Sequence, residues 1–272
     1  MSTYFITGAA RGIGRCVAET LYGQGHQIIA TDIDLEILRQ NAHHSDWQED
    51  RVLLAKLDVT KTSQWQQVLE AALQKFGQID VGMNIAGVIR PAYIADITLQ
   101  DIDSMIDINL KGLMYGTKFL ADIMLRQGGG QIVNVSSLAG VAPIPGLAIY
   151  SASKCAVRAF SVAIADELRQ QNVFVSVVCP DLVQTQMLIQ QLPHPAANLS
   201  FSGERILTVE EITKVILTRA VQQKQLEVLY PRNRGFLGKI GNFFPRLSFA
   251  IARIMAQKGN KKRQKILSGN ID

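Results

Sequence analysis

Seven short β-rich runs, set apart by longer stretches of helical periodicity, constrain this chain more than any other feature. The runs fall at 3–7, 27–31, 52–57, 79–85, 131–136, 173–179 and 226–230, and amphipathic segments begin near Gly12, Leu35, Ser63, Leu99, Tyr150 and Val209. Parallel pairing requires the chain to return to the same end of the sheet, and each intervening segment is long enough to make that crossover as a helix. The alternation therefore predicts an α/β fold: a doubly wound, seven-stranded parallel sheet with helices on both faces. With 272 residues, 47% hydrophobic and 19% charged, the chain can bury one such core and a small extension, while two full domains would be cramped. No internal repeat or low-complexity linker interrupts it.

The first crossover carries Thr7-Gly8-Ala9-Ala10-Arg11-Gly12-Ile13-Gly14, after a strand and at a helix start. Glycines there let the backbone approach a diphosphate, and the helix amino end offers N–H groups and a favourable dipole. Eighteen residues after Gly14, Asp32 closes the second strand. A carboxylate at that place can accept hydrogen bonds from the hydroxyls of an adenosine ribose, and it would repel a 2′-phosphate. Arg11, in the glycine turn, could offer such a phosphate a cation. A carboxylate facing the ribose should dominate an arginine free to swing into solvent, so NAD is expected in preference to NADP. Asp32 could alternatively cap the helix beginning at Leu35.

Tyr150-Ser151-Ala152-Ser153-Lys154, with Ser137 thirteen residues before the tyrosine, places a proton donor beside a cation. Positions i and i+4 share a helix face, so the Lys154 ammonium would lie next to the Tyr150 phenol. A nearby positive charge stabilises phenolate and lowers a tyrosine from its ordinary value of about 10. Such a pair suits proton transfer to a carbonyl oxygen. The spacing in isolation also describes an exposed tyrosine with a solvated lysine.

The T-G-x-x-x-G-x-G turn, Asp58 after the third strand, Asn84-Ile85-Ala86-Gly87, Asn109, Ser136-Ser137, Tyr150 with Lys154, and the run Pro180-Asp181-Leu182-Val183-Gln184-Thr185 together resemble the motifs of the short-chain dehydrogenase/reductase family, of the compact kind with one Rossmann domain. The resemblance runs over 3–230, so 1–230 is the expected domain and 231–272 an extension. It implies a cofactor on Gly8, Arg11, Gly12, Ile13, Gly14 and Asp32, with Asp58 and Val59 at the adenine and Asn84, Ala86 and Gly87 along its length; Asn84 could also serve the sheet itself. It implies that Asn109 marks a helix kink whose freed carbonyl holds a water leading protons toward the lysine. Ser137 would bind the substrate oxygen and Ser136 serve the structure. Lys154 would also hold the nicotinamide ribose. Pro180, the Val183 backbone and the Thr185 hydroxyl would meet the nicotinamide end. The implied catalytic set is Asn109, Ser137, Tyr150 and Lys154, and the implied reaction is reversible hydride transfer between a nicotinamide and a carbonyl carbon, with proton exchange at Tyr150.

Two positions depart from the family pattern. Ile85 stands where asparagine is common, and Asp181 where glycine is common after the proline; the second places a charge near the nicotinamide face. The segment 185–208 occupies the place of a mobile lid and carries Met187, Leu188, Ile189, Leu192, Leu199 and Phe201. With Val141, Ile144, Pro145 and Leu147 it suggests a hydrophobic or bulky alcohol or ketone of steroid, retinoid or long-chain type, although core packing accounts for such residues too.

The formal charge is +5, yet the segment 231–272 holds ten Lys or Arg and one acid, leaving the rest mildly acidic. From Pro245 onward, Leu247, Ile251 and Ile254 fall on one helical face, with basic residues from Lys258 to Lys265 beyond. An apolar face with basic flanks suits either an anionic membrane surface or docking on protein. Nucleic acid is disfavoured, because no aromatic stacking platform accompanies the lysines. Cys16, Cys155 and Cys179 lack metal-ligand spacing and read as small reduced thiols in buried positions; no metal is expected. No signal peptide or apolar span is apparent, so a cytoplasmic protein is expected, with peripheral membrane association as one reading of the tail. By resemblance, relatives form dimers or tetramers through the helices near Leu99 and Tyr150. A reading of another class is a catalytically silent nucleotide-binding module anchored by the tail; such a module would be expected to have lost Tyr150, Lys154 or Ser137.

Overall fold

The computed structural model describes residues 1–269, with the side chains of 243 and 245–249 outside the described set; Phe243, Arg246, Leu247 and Phe249 of the tail therefore lie outside it. Seven parallel strands, β1 (Thr3–Thr7), β2 (Gln27–Asp32), β3 (Val52–Lys56), β4 (Val81–Asn84), β5 (Gly130–Val135), β6 (Val173–Pro180) and β7 (Glu227–Tyr230), form one sheet in the order 3-2-1-4-5-6-7. The order reverses direction between β1 and β4, which opens a crevice beyond the carboxyl ends of those strands. Every predicted run overlaps its strand, and the ends agree to within two residues.

Alternation along the strands sorts side chains to two faces. Tyr4, Ile6, Ile28 and Ala30 face α1 (Gly12–Gly23), α2 (Leu35–His44) and α8 (Val209–Val215), where Val17, Leu21, Leu38 and Ile212 complete a core. Phe5 and Ile29 face the opposite layer of α3 (Thr62–Phe76), α5 (Leu113–Arg126) and α6 (Ala148–Arg169), packed around Trp65, Leu120 and Met124. The doubly wound fold follows from this division.

The amphipathic stretch that begins at Leu99 is not one regular helix. It runs as α4 (Leu99–Ile106), a π-helical segment Asp107–Gly112, and then α5. A π-turn inserts a residue into the helical ladder and frees backbone groups, and Asn109 lies at its centre.

After β6 the chain forms α7 (Gln186–Gln191) and a 3₁₀ segment Pro195–Ser202, and after β7 it forms α9 (Arg232–Phe243) and α10 (Pro245–Leu267). Pro245 opens α10, a position where its missing N–H is harmless. The inward face of α10 lies on the lid: Gly259 comes so close to Asn198 that a Cβ there would meet its carbonyl oxygen at 1.9 Å. Arg263, 3% exposed, donates to Asn198 Oδ1 and to the Leu192 carbonyl. No described helix is long and apolar enough to cross a membrane. Among the cysteines, Cys179 is buried and Cys16 half-buried, but Cys155 is exposed, which corrects the expectation of burial: it follows the inward Lys154 on the outer face of α6.

Candidate active site

One cavity of about 1340 Å³ occupies the crevice and extends to the lid and α9. Gly8, Arg11, Gly12, Ile13 and Gly14 form one end. Gly8 adopts φ +70°, and a Cβ on Gly14 would stand 2.1 Å from the Gly8 carbonyl oxygen, so the turn closes only with glycine at that position. The first turn of α1 takes no side-chain cap, which makes its N–H groups the donors available to a diphosphate.

Asp32 lines the same end. Its Oδ2 accepts from the Ala10 N–H at 2.9 Å and its Oδ1 from the Asp34 N–H at 3.0 Å, which holds the carboxylate in place. The capping role open to Asp32 belongs to Asp34, whose Oδ1 accepts from the Ile37 N–H. Asp34 also pairs with Arg11 at 2.9 Å, so a neighbouring acid engages the arginine of the glycine turn. Beyond Asp32 the cavity is edged by Ile33, an exposed apolar side chain with nothing to offer a phosphate.

Asp58 and Val59 lie along the cavity, and so do Ala86 and Gly87 after β4. Asp58 Oδ1 accepts from the Thr60 N–H and hydroxyl, which shapes this turn. Asn84 requires a correction: it does not line the cavity. Its amide donates to Asn134 Oδ1 at 2.9 Å and to the Thr117 hydroxyl at 3.1 Å, because the pleat turns it into the helical layer beneath the sheet. Asn109 is likewise behind the wall. Its Oδ1 accepts from the Val88 N–H at 2.7 Å, while its Nδ2 donates to the Val88 carbonyl at 2.9 Å and to the Ser153 hydroxyl at 3.2 Å. The side chain thus ties the π-turn to the loop after β4 and to α6.

Ser137, Tyr150 and Lys154 meet at the middle of the cavity. Helical spacing sets the Lys154 Nζ 5.9 Å from the centroid of the Tyr150 ring, and the ammonium donates to the Val135 carbonyl at 3.0 Å. Ser136 donates to the Lys154 carbonyl at 2.7 Å, a structural contact. The expected acidity of the tyrosine is corrected: burial pushes Tyr150 up to about 12, opposed by its hydrogen bond with Ser137. Burial also pushes Lys154 down to about 8. Desolvation disfavours the charged form of both groups, and at this separation the ammonium does not reverse it. The buried wall therefore presents two neutral hydroxyl donors.

A family model described as short chain dehydrogenase matches residues 2–195 of the chain. The chain belongs to the short-chain dehydrogenase/reductase family. It is 36% identical over 215 residues to the 3-oxoacyl-[acyl-carrier-protein] reductase FabG of Thermotoga maritima, covering 78% of this chain and 87% of that protein. A short-chain dehydrogenase/reductase from Burkholderia phymatum in complex with NAD superposes with a TM-score of 0.80 at 24% identity, over 91% of this chain and 95% of that one. A short-chain dehydrogenase from Mycobacterium paratuberculosis bound to NAD gives 0.76 at 25% identity, over 86% and 97%. The protein is thus an oxidoreductase acting on CH–OH groups.

In this short-chain dehydrogenase/reductase the far end of the cavity runs past Pro180, Val183 and Thr185 to the lid. Met187 places its sulfur 3.9 Å from the Tyr150 hydroxyl, a contact that spacing does not announce because 37 residues separate the two. Met187, Leu188 and Leu199 line the cavity. Phe201 instead packs with Leu188 and Ala197 in a small core of the lid, and Ile189 faces solvent, so the apolar lid divides between lining and packing. Asp181, at the departure from the family pattern, is burdened by burial, which raises its pKa, and is countered by Arg234 of α9 at 2.7 Å. That partner lies in the extension, and sequence reasoning had no signal for it beyond the excess of basic residues.

Proposed function

We propose that the chain interconverts a lipophilic secondary alcohol and its ketone with NAD(H). The observation that carries this reading is the convergence of the Ser137 and Tyr150 hydroxyls and the Lys154 ammonium on one cavity whose other end holds the uncapped α1 terminus and Asp32. The dinucleotide, when bound, supplies or accepts the hydride. Gly8, Arg11, Gly12, Ile13 and Gly14 cradle its diphosphate, and Asp32 accepts from the adenosine ribose. Asp58 and Val59 hold the adenine, Ala86 and Gly87 flank the middle, and Pro180, Val183 and Thr185 position the nicotinamide end.

Ser137 and Tyr150 donate hydrogen bonds to the substrate oxygen, and Tyr150 passes the proton to that oxygen in the direction of reduction. Lys154 holds the nicotinamide ribose and supplies positive charge as negative charge develops at the tyrosine. Asn109 acts through the π-turn, keeping α6 and the loop after β4 in register. NAD is preferred because Asp32 is fixed by two backbone donors while Arg11 is engaged by Asp34.

Apolar lining from Ile89, Ile144, Leu147, Met187 and Leu199 supports a long or bulky apolar substrate. The Thermotoga relative is named for reduction of a 3-oxoacyl group, which carries a ketone. Division into a 1–230 domain and a 231–272 extension, residence in the cytoplasm with peripheral membrane contact, and self-association through the helix bearing the exposed Leu99 and through α6 belong to the same reading.

Absorbance of reduced dinucleotide tests it. The purified chain, given NADH or NADPH with a panel of 3-oxoacyl thioesters, steroid ketones and long-chain ketones, should consume NADH with at least one. Tight NADH binding with no turnover of any would support the silent module instead.

A further inference from the structure

The extension has a second face that the lid does not use. Inward residues of α10, Met255, Gly259, Arg263 and Ile266, fall at helical spacing toward the protein. Outward, at the same spacing, stand Ile251, Ile254, Lys258, Lys261 and Lys265, all exposed. The stripe changes character along its length, apolar at the start of the helix and cationic beyond. Among the described residues no acidic side chain pairs with Lys258, Lys261 or Lys265.

The apolar end of the stripe adjoins exposed apolar residues of α9 and Phe244, the residue that joins α9 to α10. Phe236 is 64% exposed, Leu237 65% and Phe244 61%, while Ile254 on α10 reaches 70%. Leu237, Phe244 and Ile251 are both exposed and part of the cavity lining, which puts them on its rim. A bundle that only docked on its own domain would turn these side chains inward, since large apolar groups at the rim of a water-filled opening gain nothing there.

We propose that this face seats on an anionic lipid bilayer: the apolar rim enters the interface, the lysine stripe lies over the headgroups, and the cavity opens toward the membrane. Apolar residues combined with a basic stripe give the two contributions such a contact needs, burial in the acyl boundary and attraction to anionic headgroups. A second copy of this chain is a poorer fit, because pairing the stripe with itself would set lysine against lysine. The proposal rests on the oxidoreductase reading only for what enters the cavity: a substrate dissolved in the bilayer would reach Tyr150 without crossing water.

Co-sedimentation of the full chain with vesicles of phosphatidylglycerol and phosphatidylcholine, and with phosphatidylcholine alone, tests the contact. Two variants accompany it: Ile254→Asp, and the triple Lys258→Glu, Lys261→Glu, Lys265→Glu. None of these residues lines the cavity. Binding should favour the anionic vesicles at least tenfold, weaken with salt, and fall by about two orders of magnitude in the triple variant. Ile254→Asp should lose about tenfold or more. NADH consumption with a short water-soluble ketone should be unchanged in both variants, which shows them folded and separates this proposal from the catalytic reading. With a long-chain ketone carried in anionic vesicles, the variants should raise KM at least fivefold and leave kcat alone. A wild-type chain that stays in the supernatant with anionic vesicles at low salt overturns the proposal. So does equal binding by all three proteins, and so does a dimer that Ile254→Asp converts to monomer in sedimentation velocity without any vesicle binding.

Discussion

Asp181 Oδ2 and Arg234 Nε lie 2.7 Å apart, joining the residue after β6 to the first turn of α9. The two side chains are 12% and 26% exposed, so the pair is largely removed from water. Lys262 of α10 adds a second cation to the field of Asp181 and donates to the Gly203 and Glu204 carbonyls. A carboxylate where relatives commonly have glycine thus acts as the point at which the extension grips the site. Its charge faces the tail, and it leaves the proton-transfer pair untouched.

Breaking this pair should loosen the extension. Asp181→Gly leaves Arg234 partly buried without its counter-ion and should lower stability by about 1 to 3 kcal/mol. In a urea double-mutant cycle with Arg234→Met, the coupling should exceed about 0.5 kcal/mol. Additive single effects would show that the two residues stabilise the fold independently.

Tyr150→Phe removes the hydroxyl and little else. Turnover should fall at least a thousandfold, in keeping with loss of a general acid and a donor to the developing oxyanion. NADH affinity, read by fluorescence titration, should stay within about threefold, since the contacts to the diphosphate lie elsewhere. Turnover near that of wild type would remove Tyr150 from the mechanism.

Asp32→Ala should weaken NADH and relieve repulsion of a 2′-phosphate. The ratio of NADPH to NADH affinity should rise at least tenfold, with Arg11 then the main charge near that position. Parallel titrations of wild type and variant with both dinucleotides give the number directly; an unchanged ratio would place cofactor choice elsewhere in the chain.

Burial lowers Lys154 from 10.5 to about 8. Between those values the unfolded chain holds a proton at this residue that the folded chain has released. Unfolding then takes up protons, and raising the pH through the window favours the folded state. Lys154→Met removes the dependence. The Tm of wild type minus that of the variant should therefore climb from pH 8 to 10, by an amount corresponding to about 3 kcal/mol at most. A flat difference would mean that the ammonium is as well solvated in the fold as outside it.

Arg263→Ala should act on the substrate side. Its guanidinium reaches Asn198, Asn260 and the Leu192 carbonyl from a site 3% exposed, so its loss unties α10 from the lid. KM for a long-chain ketone should rise several-fold, and NADH affinity should not move. A variant with unchanged KM would show that the lid is held without the tail.

Much of this was legible along the chain. Parallel strands are buried on both faces and read as short runs of β-branched residues, so their places were found to within two residues. The glycine turn, Asp32, and the Tyr150 and Lys154 pair are local patterns, decided by spacing of at most a few helical turns. What failed was whatever depends on direction or surroundings. Asn84 stands opposite Asn134 in the register of β4 and β5, fifty residues away, and the pleat sends it beneath the sheet rather than into the cavity. The helix interruption at Asn109, by contrast, was implied by the resemblance and is present as a π-helical segment; what spacing did not show is that Val88 and Ser153, from two other segments, hold its side chain.

The sequence by itself determined the alternation of strands and helices, the local pairs that carry the chemistry, and the excess of positive charge in the tail, because each is set by neighbours within a few turns of chain. Tertiary structure decided how strongly Tyr150 and Lys154 hold their protons, since that depends on how completely other segments exclude water from them. It also decided which stripe of α10 grips the lid and which is left to solvent, because amphipathic spacing defines two faces but only the partner surface at Leu192 and Asn198 selects between them.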